Sequence, residues 1–420
     1  MNRREIAPGV FITNFAAAPF KRCRITINFL WAAHRETATA EALLPLVLER
    51  GYAGCPDMTA LSKKLAALYG AALSVDSTLS GANRVLTVSV AGIRDAFALA
   101  GENLTAEYAK IALGTAFTPY FIHGQFDPEA VEIEKEQLKE LLEGEINEKR
   151  SYCVRQARRK FFGSAPAGIE RSGYLEEVDD ITPEDLTNVF QTMLQNAQIE
   201  VMVLGTNADI VCAELLGMLA GVCRTPAHLR LPEAMPRVEE QVFVQPLDTV
   251  QGKLCLLFTS GTIFKAEDLS ALRVAVSLLG ATATSRLFTN VREKKSLCYY
   301  CSASFVSLCG MLSIDSGVEH ANAAAAKQAI LNEFSMLCTG EITSKEMEET
   351  KRSLISSLCA VEDSLMGIES WYFAEMIRGT DKTPADVVHE IALVTPDDVR
   401  RVLSAFTLSV SYLLTKEDAQ

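Results

Sequence analysis

The stretch Ser285-Arg-Leu-Phe-Thr-Asn-Val-Arg-Glu-Lys-Lys-Ser-Leu-Cys-Tyr-Tyr-Cys301 changes character half-way along, and the rest of the chain is read outward from that change. Leu287, Phe288 and Val291 fall at i, i+1 and i+4, one side of a helix, while Arg292, Lys294 and Lys295 load the end where the helix dipole is negative. The spacing predicts a helix that stops near Ser296. From Cys298 the residues are aromatic and then β-branched, which predicts a strand with Tyr299 and Cys301 on one face and Cys298 and Tyr300 on the other. Arg292 and Tyr299 therefore flank a helix-to-strand corner. A guanidinium and a phenol at such a corner are hydrogen-bond donors suited to a negatively charged partner. The plainer alternative is a solvated helix-end cation beside a half-buried strand aromatic.

Around this corner, Lys253–Ser260, Tyr299–Val306 and Met311–Asp315 read as strands, and 266–279, 321–337 and 343–359 as helices. Thr395-Pro-Asp-Asp caps another helix, and Val410-Ser-Tyr-Leu-Leu closes with a strand. The first half has the same order. Gly9–Asn14 and Cys23–Trp31 read as a hairpin, followed by helices at 37–49 and 58–69, strands at 72–78 and 84–91, and a helix at 104–113. A long helix opens at Asp127-Pro-Glu and turns Arg-rich before Gly163; then come a Thr182-Pro-Glu-Asp cap and a strand from Ile199. The two Thr-Pro-acid-acid caps lie about half a chain apart, so the pattern implies a duplicated α+β domain, each copy a mostly antiparallel sheet covered by helices on one side. The expected division is 1–224, a Pro-rich linker at 225–240, and 241–420.

The chain has 420 residues, 49% apolar and 22% charged, which predicts a folded protein of at least two domains. A net charge of −13 argues against nucleic acid or an anionic membrane as the main partner. The opening residues lack the apolar run of a secretory signal, and no stretch of 18 apolar residues is present. Eleven cysteines, with Cys212, Cys255 and Cys359 in apolar segments, suit free thiols in a reducing cytoplasm. In Cys298-Tyr-Tyr-Cys301, strand pleating is expected to turn the thiols to opposite faces, against a redox or metal role. No phosphate-binding Gly-rich loop and no Gly-x-Ser-x-Gly elbow is found.

Arg292-x6-Tyr299, preceded by Ser-Arg-Leu-Phe, resembles the arginine/tyrosine motif of the pitrilysin/insulinase family of zinc peptidases. The order of elements, twice over, resembles that family's two-domain half-clamshell of LuxS/metallohydrolase-like domains. The resemblance implies that Tyr299 donates to an oxyanion and that Arg292 holds substrate backbone. Peptide-cutting members also carry His-x-x-Glu-His on a first-domain helix, plus a later glutamate. When Gly51 is set against the family's glycine after that helix, Ala42 and Leu46 stand where the histidines belong and Pro45 where the base belongs. Leu141 falls at the distal ligand position, next to Glu140. The five histidines are scattered, with no pair at i, i+4.

No metal is therefore expected in this chain. The combination is similar to the zinc-less subunits of bacterial heterodimeric members, above all a Firmicutes subgroup named for association with elongation factor P modification. Leu43-Leu-Pro-Leu-Val-Leu-Glu-Arg-Gly51 and Leu68-Tyr-Gly-Ala-Ala-Leu-Ser-Val75 carry that likeness. It implies a heterodimer with a zinc-bearing subunit, a peptide substrate, and metalloendopeptidase activity only with the partner. The alternative is an inert pseudopeptidase serving as a scaffold or peptide-binding chamber.

Overall fold

The computed structural model describes residues 2–15 and 20–416. They form two compact units, Met1–Gly144 with Ile169–Leu231, and Glu145–Gly168 with Pro232–Gln420.

In the first, strands β1 (Asn2–Ala7), β2 (Val10–Phe15), β3 (Arg22–Ala32), β4 (Ala72–Ser80) and β5 (Asn83–Ile93) are joined by helices α1 (Ala38–Glu49), α2 (Met58–Ala67) and α3 (Leu104–Phe117). The two-residue strands β6 (Phe121–Ile122) and β7 (Gln125–Phe126) lead into α4 (Pro128–Gly144). After α5 (Lys149–Phe162) come α6 (Pro183–Asn196), β8 (Gln198–Leu204) and α7 (Ala208–Leu219). The sheet order is β1-β2-β8-β3-β5-β4, antiparallel except for β2 with β8. Strand β8 thus separates β2 from β3, and the true hairpin is β1–β2 rather than the expected pairing of 9–14 with 23–31. Ile25, Ile27 and Phe29 alternate onto the core side, where α1, α3 and α6 close over them.

The second unit contains β9 (Gln241–Pro246), β10 (Gly252–Thr259), α8 (Leu269–Val276), β11 (Cys298–Val306) and β12 (Met311–Val318). It continues with α9 (Ala323–Thr339), α10 (Ser344–Cys359), α11 (Leu365–Ile377), α12 (Pro384–Leu393), α13 (Pro396–Leu403) and β13 (Thr407–Thr415). Its order, β11-β12-β10-β13-β9, is antiparallel except for β9 with β13. Reading from the parallel edge, both sheets run first, last, second, fourth, third strand in chain order, β1 being an extra strand on the first sheet. This is the topology of a duplicated domain. The two cap motifs form as expected. Thr182 and Thr395 accept from the N–H of Asp185 and Asp398 at 3.1 and 3.2 Å, and each Asp side chain returns a bond to the Thr N–H. Such a box stabilises a helix start by about 1 kcal/mol.

Two expectations change here. The long helix read from Asp127 breaks at a 3₁₀ turn, Glu145–Asn147, and α5 joins the second unit. Within an otherwise cationic helix, Cys153, Ala157, Phe161 and Phe162 form a buried stripe. They meet Cys255, Leu257, Val410, Tyr412 and Leu414, which alternate with the residues that face the other helices. Burying two phenylalanines is worth about 3–6 kcal/mol, enough to fix where α5 packs. This sheet therefore carries helix on both faces, not one. The stretch 225–240 has no helix or strand. It is tied down piecemeal: Ala227 N–H donates to Asn196 C=O at 2.8 Å, and Arg237 Nη2 to Ala405 C=O at 2.9 Å. Eight of the eleven cysteines are buried, Cys212 and Cys255 among them, but Cys359 is exposed.

Candidate functional site

In the first unit, α1 stops before Gly51, where a Cβ would lie 2.5 Å from the Cys55 carbonyl oxygen. Ala42 and Pro45 are buried in α1, Leu46 is half-buried against the core, and Leu141 on α4 is 51% exposed. None of these side chains carries a nitrogen, oxygen or sulfur donor, so they do not fit a zinc ion. Among the described residues no group of three or more His, Cys, Asp or Glu is placed to hold a metal. Polar groups nearby are already paired. Arg50 Nη1 reaches Glu134 at 2.6 Å, and Glu140 lies on an exposed face.

At the start of α1, the buried Glu41 accepts from Trp31 Nε1 at 2.9 Å and Thr37 Oγ1 at 2.8 Å. Its other oxygen lies 2.9 Å from Nε of the fully buried Arg84, a contact of charges rather than an aligned hydrogen bond. Arg84 also donates to the carbonyls of Arg171 and Ala38 and to Ser77 Oγ, tying α1 to β5 and the loop before α6. Burial pushes the Arg84 guanidinium below its ordinary value, and Glu41 opposes this.

In the second unit, residues Leu287–Lys294 form a π-helical segment, with Leu287 and Val291 buried and Lys295 N–H bonded to Asn290 C=O at 3.2 Å. Wide turns of this kind recur at functional sites. The chain then turns at Ser296, whose φ is +52°, a left-handed conformation costly for a residue with a Cβ. The helix stops where the sequence predicts.

The strand that follows is not regular. Cys298 pairs with Val318, Tyr300 with Gly317 and Cys301 with Ser316, so Tyr299 is the extra residue of a β-bulge. The bulge overturns the expected facing: Cys298 and Cys301 both enter the core, while Tyr299 is 50% exposed. Tyr300 stacks beneath Arg150 of α5, with the guanidinium 4.4 Å from the ring centre.

Arg292, Glu293, Ser296, Leu297, Cys298, Tyr299 and Glu319 line an open hollow of about 340 Å³. The sequence-predicted pair thus shares one cavity wall. Arg292 lies over the Phe288 ring at 4.6 Å and touches Glu293 at 3.5 Å. The Tyr299 hydroxyl donates to Glu319 Oε1 at 3.3 Å, long for such a bond. The negative charge of Glu319 raises the Tyr299 pKa, so the phenol stays a donor. Hydrogen bonding from Cys301, against the cost of burial, holds the Cys298 thiol down to about 7, with Ser316 and the Arg292 charge assisting. Glu319 went unread in the sequence, and the thiol pair was expected on opposite faces rather than together in the core. A bulge leaves no pattern that strand alternation would show.

Two copies of one sheet topology, with no metal donor on the side chains of Ala42, Pro45, Leu46 or Leu141, give the two-domain layout of the metallopeptidases that the sequence resembles. Comparison with known proteins agrees. The family description "Peptidase M16 inactive domain" matches residues 180–354. The probable inactive metalloprotease YmfF of Bacillus subtilis is 25% identical over 396 residues, 94% of this chain and 93% of that one. The uncharacterized zinc protease YmxG of the same organism is 29% identical over 167 residues, 39% of this chain and 41% of its own. The solved structure of a conserved protein from Enterococcus faecalis V583 has a TM-score of 0.87 at 26% identity, covering 97% of each chain. The chain is thus similar to M16 peptidase relatives of the inactive-named kind, the group that the pitrilysin/insulinase resemblance implies.

Proposed function

We propose that this chain is the zinc-less half of a two-chain M16 peptidase, lending Arg292 and Tyr299 to a site whose zinc is held by a partner subunit. The observation that carries this reading is the hollow in which a protonated phenol and a guanidinium stand together. The 3.3 Å bond to Glu319 joins two exposed groups and exchanges readily with water or substrate. A substrate oxyanion is the stronger acceptor, so Tyr299 would leave Glu319 for it as charge develops. Arg292, with part of its fork open to the hollow, would hold a peptide carbonyl. That one organism carries both an inactive-named and a zinc-protease-named relative supports a division of labour between chains. On the sequence resemblance alone, elongation factor P modification is the proposed cellular setting and the cytoplasm the proposed compartment.

A second reading, a scaffold without chemistry, is favoured by Tyr299 and Arg292 already having partners within the chain. Reconstitution decides between them. This chain and a zinc-bearing M16 relative from the same cell are purified, mixed, and assayed for mass in solution and peptide hydrolysis. A one-to-one complex that cuts peptides only when both chains are present supports the first reading; two monomers at micromolar concentration would overturn it.

A further inference from the structure

A second cavity in the second unit, about 300 Å³, opens between α8, the π-helical turn Ser277–Ala281, β11, α10 and the C-terminal end of α11. Its lining is mainly apolar: Leu269, Leu272, Val276, Ala303, Phe305 and Leu354. Two guanidiniums, Arg273 and Arg378, also reach it. Both lean on one oxygen of Glu375, which is 2% exposed: Oε1 lies 2.9 Å from Arg378 Nη1 and 3.4 Å from Arg273 Nη2. The other Glu375 oxygen accepts from Thr380 Oγ1 at 2.7 Å. The next carboxylate, Glu390, is held by Lys382 and Ser270, each at 2.6 Å. Among these groups three cations face two carboxylates. Burial, and then the like charge of Arg378, push the Arg273 guanidinium below its ordinary value. Arg273 Nε and Nη1 and Arg378 Nη2 have no hydrogen-bond partner among the described residues.

We propose that this pocket binds a small amphipathic monocarboxylate, its apolar body against Leu272, Val276 and Phe305 and its carboxylate on Arg273 and Arg378. The one-cation excess among these groups matches one carboxylate rather than a phosphate dianion, and planar guanidiniums fit a carboxylate's two oxygens. The volume is at the lower end for ligand pockets, so the body is short. The same chemistry is offered by the C-terminus of a peptide ending in an apolar residue and by a free short-chain acid. The inference stands apart from the role proposed for Arg292 and Tyr299.

Calorimetric titration tests it with four probes: 4-methylpentanoate, its amide, and an acetylated tripeptide ending in leucine with a free or an amidated C-terminus. The acids should bind saturably and each amide at least tenfold more weakly. A tighter peptide acid assigns the site to peptide C-termini, and a tighter free acid to small carboxylates. Arg378→Gln should weaken binding tenfold or more, but it also removes a partner of buried Glu375. Ala281→Phe, at an exposed lining position away from Glu375, should block the pocket in a protein that melts normally. Equal binding of acid and amide, no saturation by either acid at millimolar concentration, or full affinity in folded Ala281→Phe would each overturn the proposal.

Discussion

Replacing Tyr299 with phenylalanine removes one oxygen from a side chain that is 50% exposed and whose hydroxyl meets only Glu319, at 3.3 Å. The ring that covers the hollow remains. An exposed bond of that length contributes little, so unfolding free energy should move by less than about 0.5 kcal/mol. Catalysis should respond very differently if the phenol donates to an oxyanion. Losing one such donor costs about 3–4 kcal/mol of transition-state stabilisation, roughly 10²–10³-fold in turnover. The assay is peptide hydrolysis by the reconstituted pair, with melting temperature as the control. Glu319→Gln is the informative companion: it removes the charge that raises the Tyr299 pKa but leaves a donor in place, so turnover should fall far less than in Tyr299→Phe. Wild-type turnover in a folded Tyr299→Phe heterodimer would refute the catalytic reading and leave the scaffold.

Arg84→Met strands the Glu41 carboxylate in a site with only Trp31 and Thr37 as donors, and should cost about 3–5 kcal/mol in urea unfolding; a loss under about 1 kcal/mol would show the pair to be dispensable. Ser296→Val puts a β-branched residue at φ +52° and should destabilise by about 1–2 kcal/mol while also disturbing Tyr299, whereas an unchanged melting temperature would mean the turn relaxes freely. With a depressed pKa, Cys298 is thiolate above about 7, so its alkylation, followed site by site by mass spectrometry, should rise with pH and level off just above that value. A rate still climbing through the ordinary thiol range would contradict the hydrogen bonding from Cys301.

Much of the architecture could be read from local signals because each has a local cause. The Thr-Pro-acid-acid caps, the stop at Ser296 and the duplicated order of elements all depend on residues a few positions apart. The misreadings share a different cause. Nothing near Val10 says that β8, almost two hundred residues later, will lie between β2 and β3. The helical pattern of 128–162 likewise runs on without showing that its second half buries Phe161 and Phe162 against a sheet formed after residue 240. Cys359 sits among apolar neighbours, yet it lies on the exposed side of α10. Sequence periodicity names a face but not the partner that covers it.

The corner between Arg292 and Tyr299 holds one residue too many on each side of Ser296. A π-helical segment closes its bonds five residues back instead of four, and a bulge places two residues of β11 opposite one of β12. In a regular strand, Tyr299 facing out would require Tyr300 in the core and Cys301 outside it. The bulge lets Cys298 and Cys301 both fill the core while Tyr299 turns to the hollow and Tyr300 to Arg150. Bulges, wide helical turns and left-handed serines each forgo regular hydrogen bonding or cost backbone strain. Three of them fall within a dozen residues here. The same residues hold Arg292 and Tyr299 on one wall, which is the use the peptidase reading gives them.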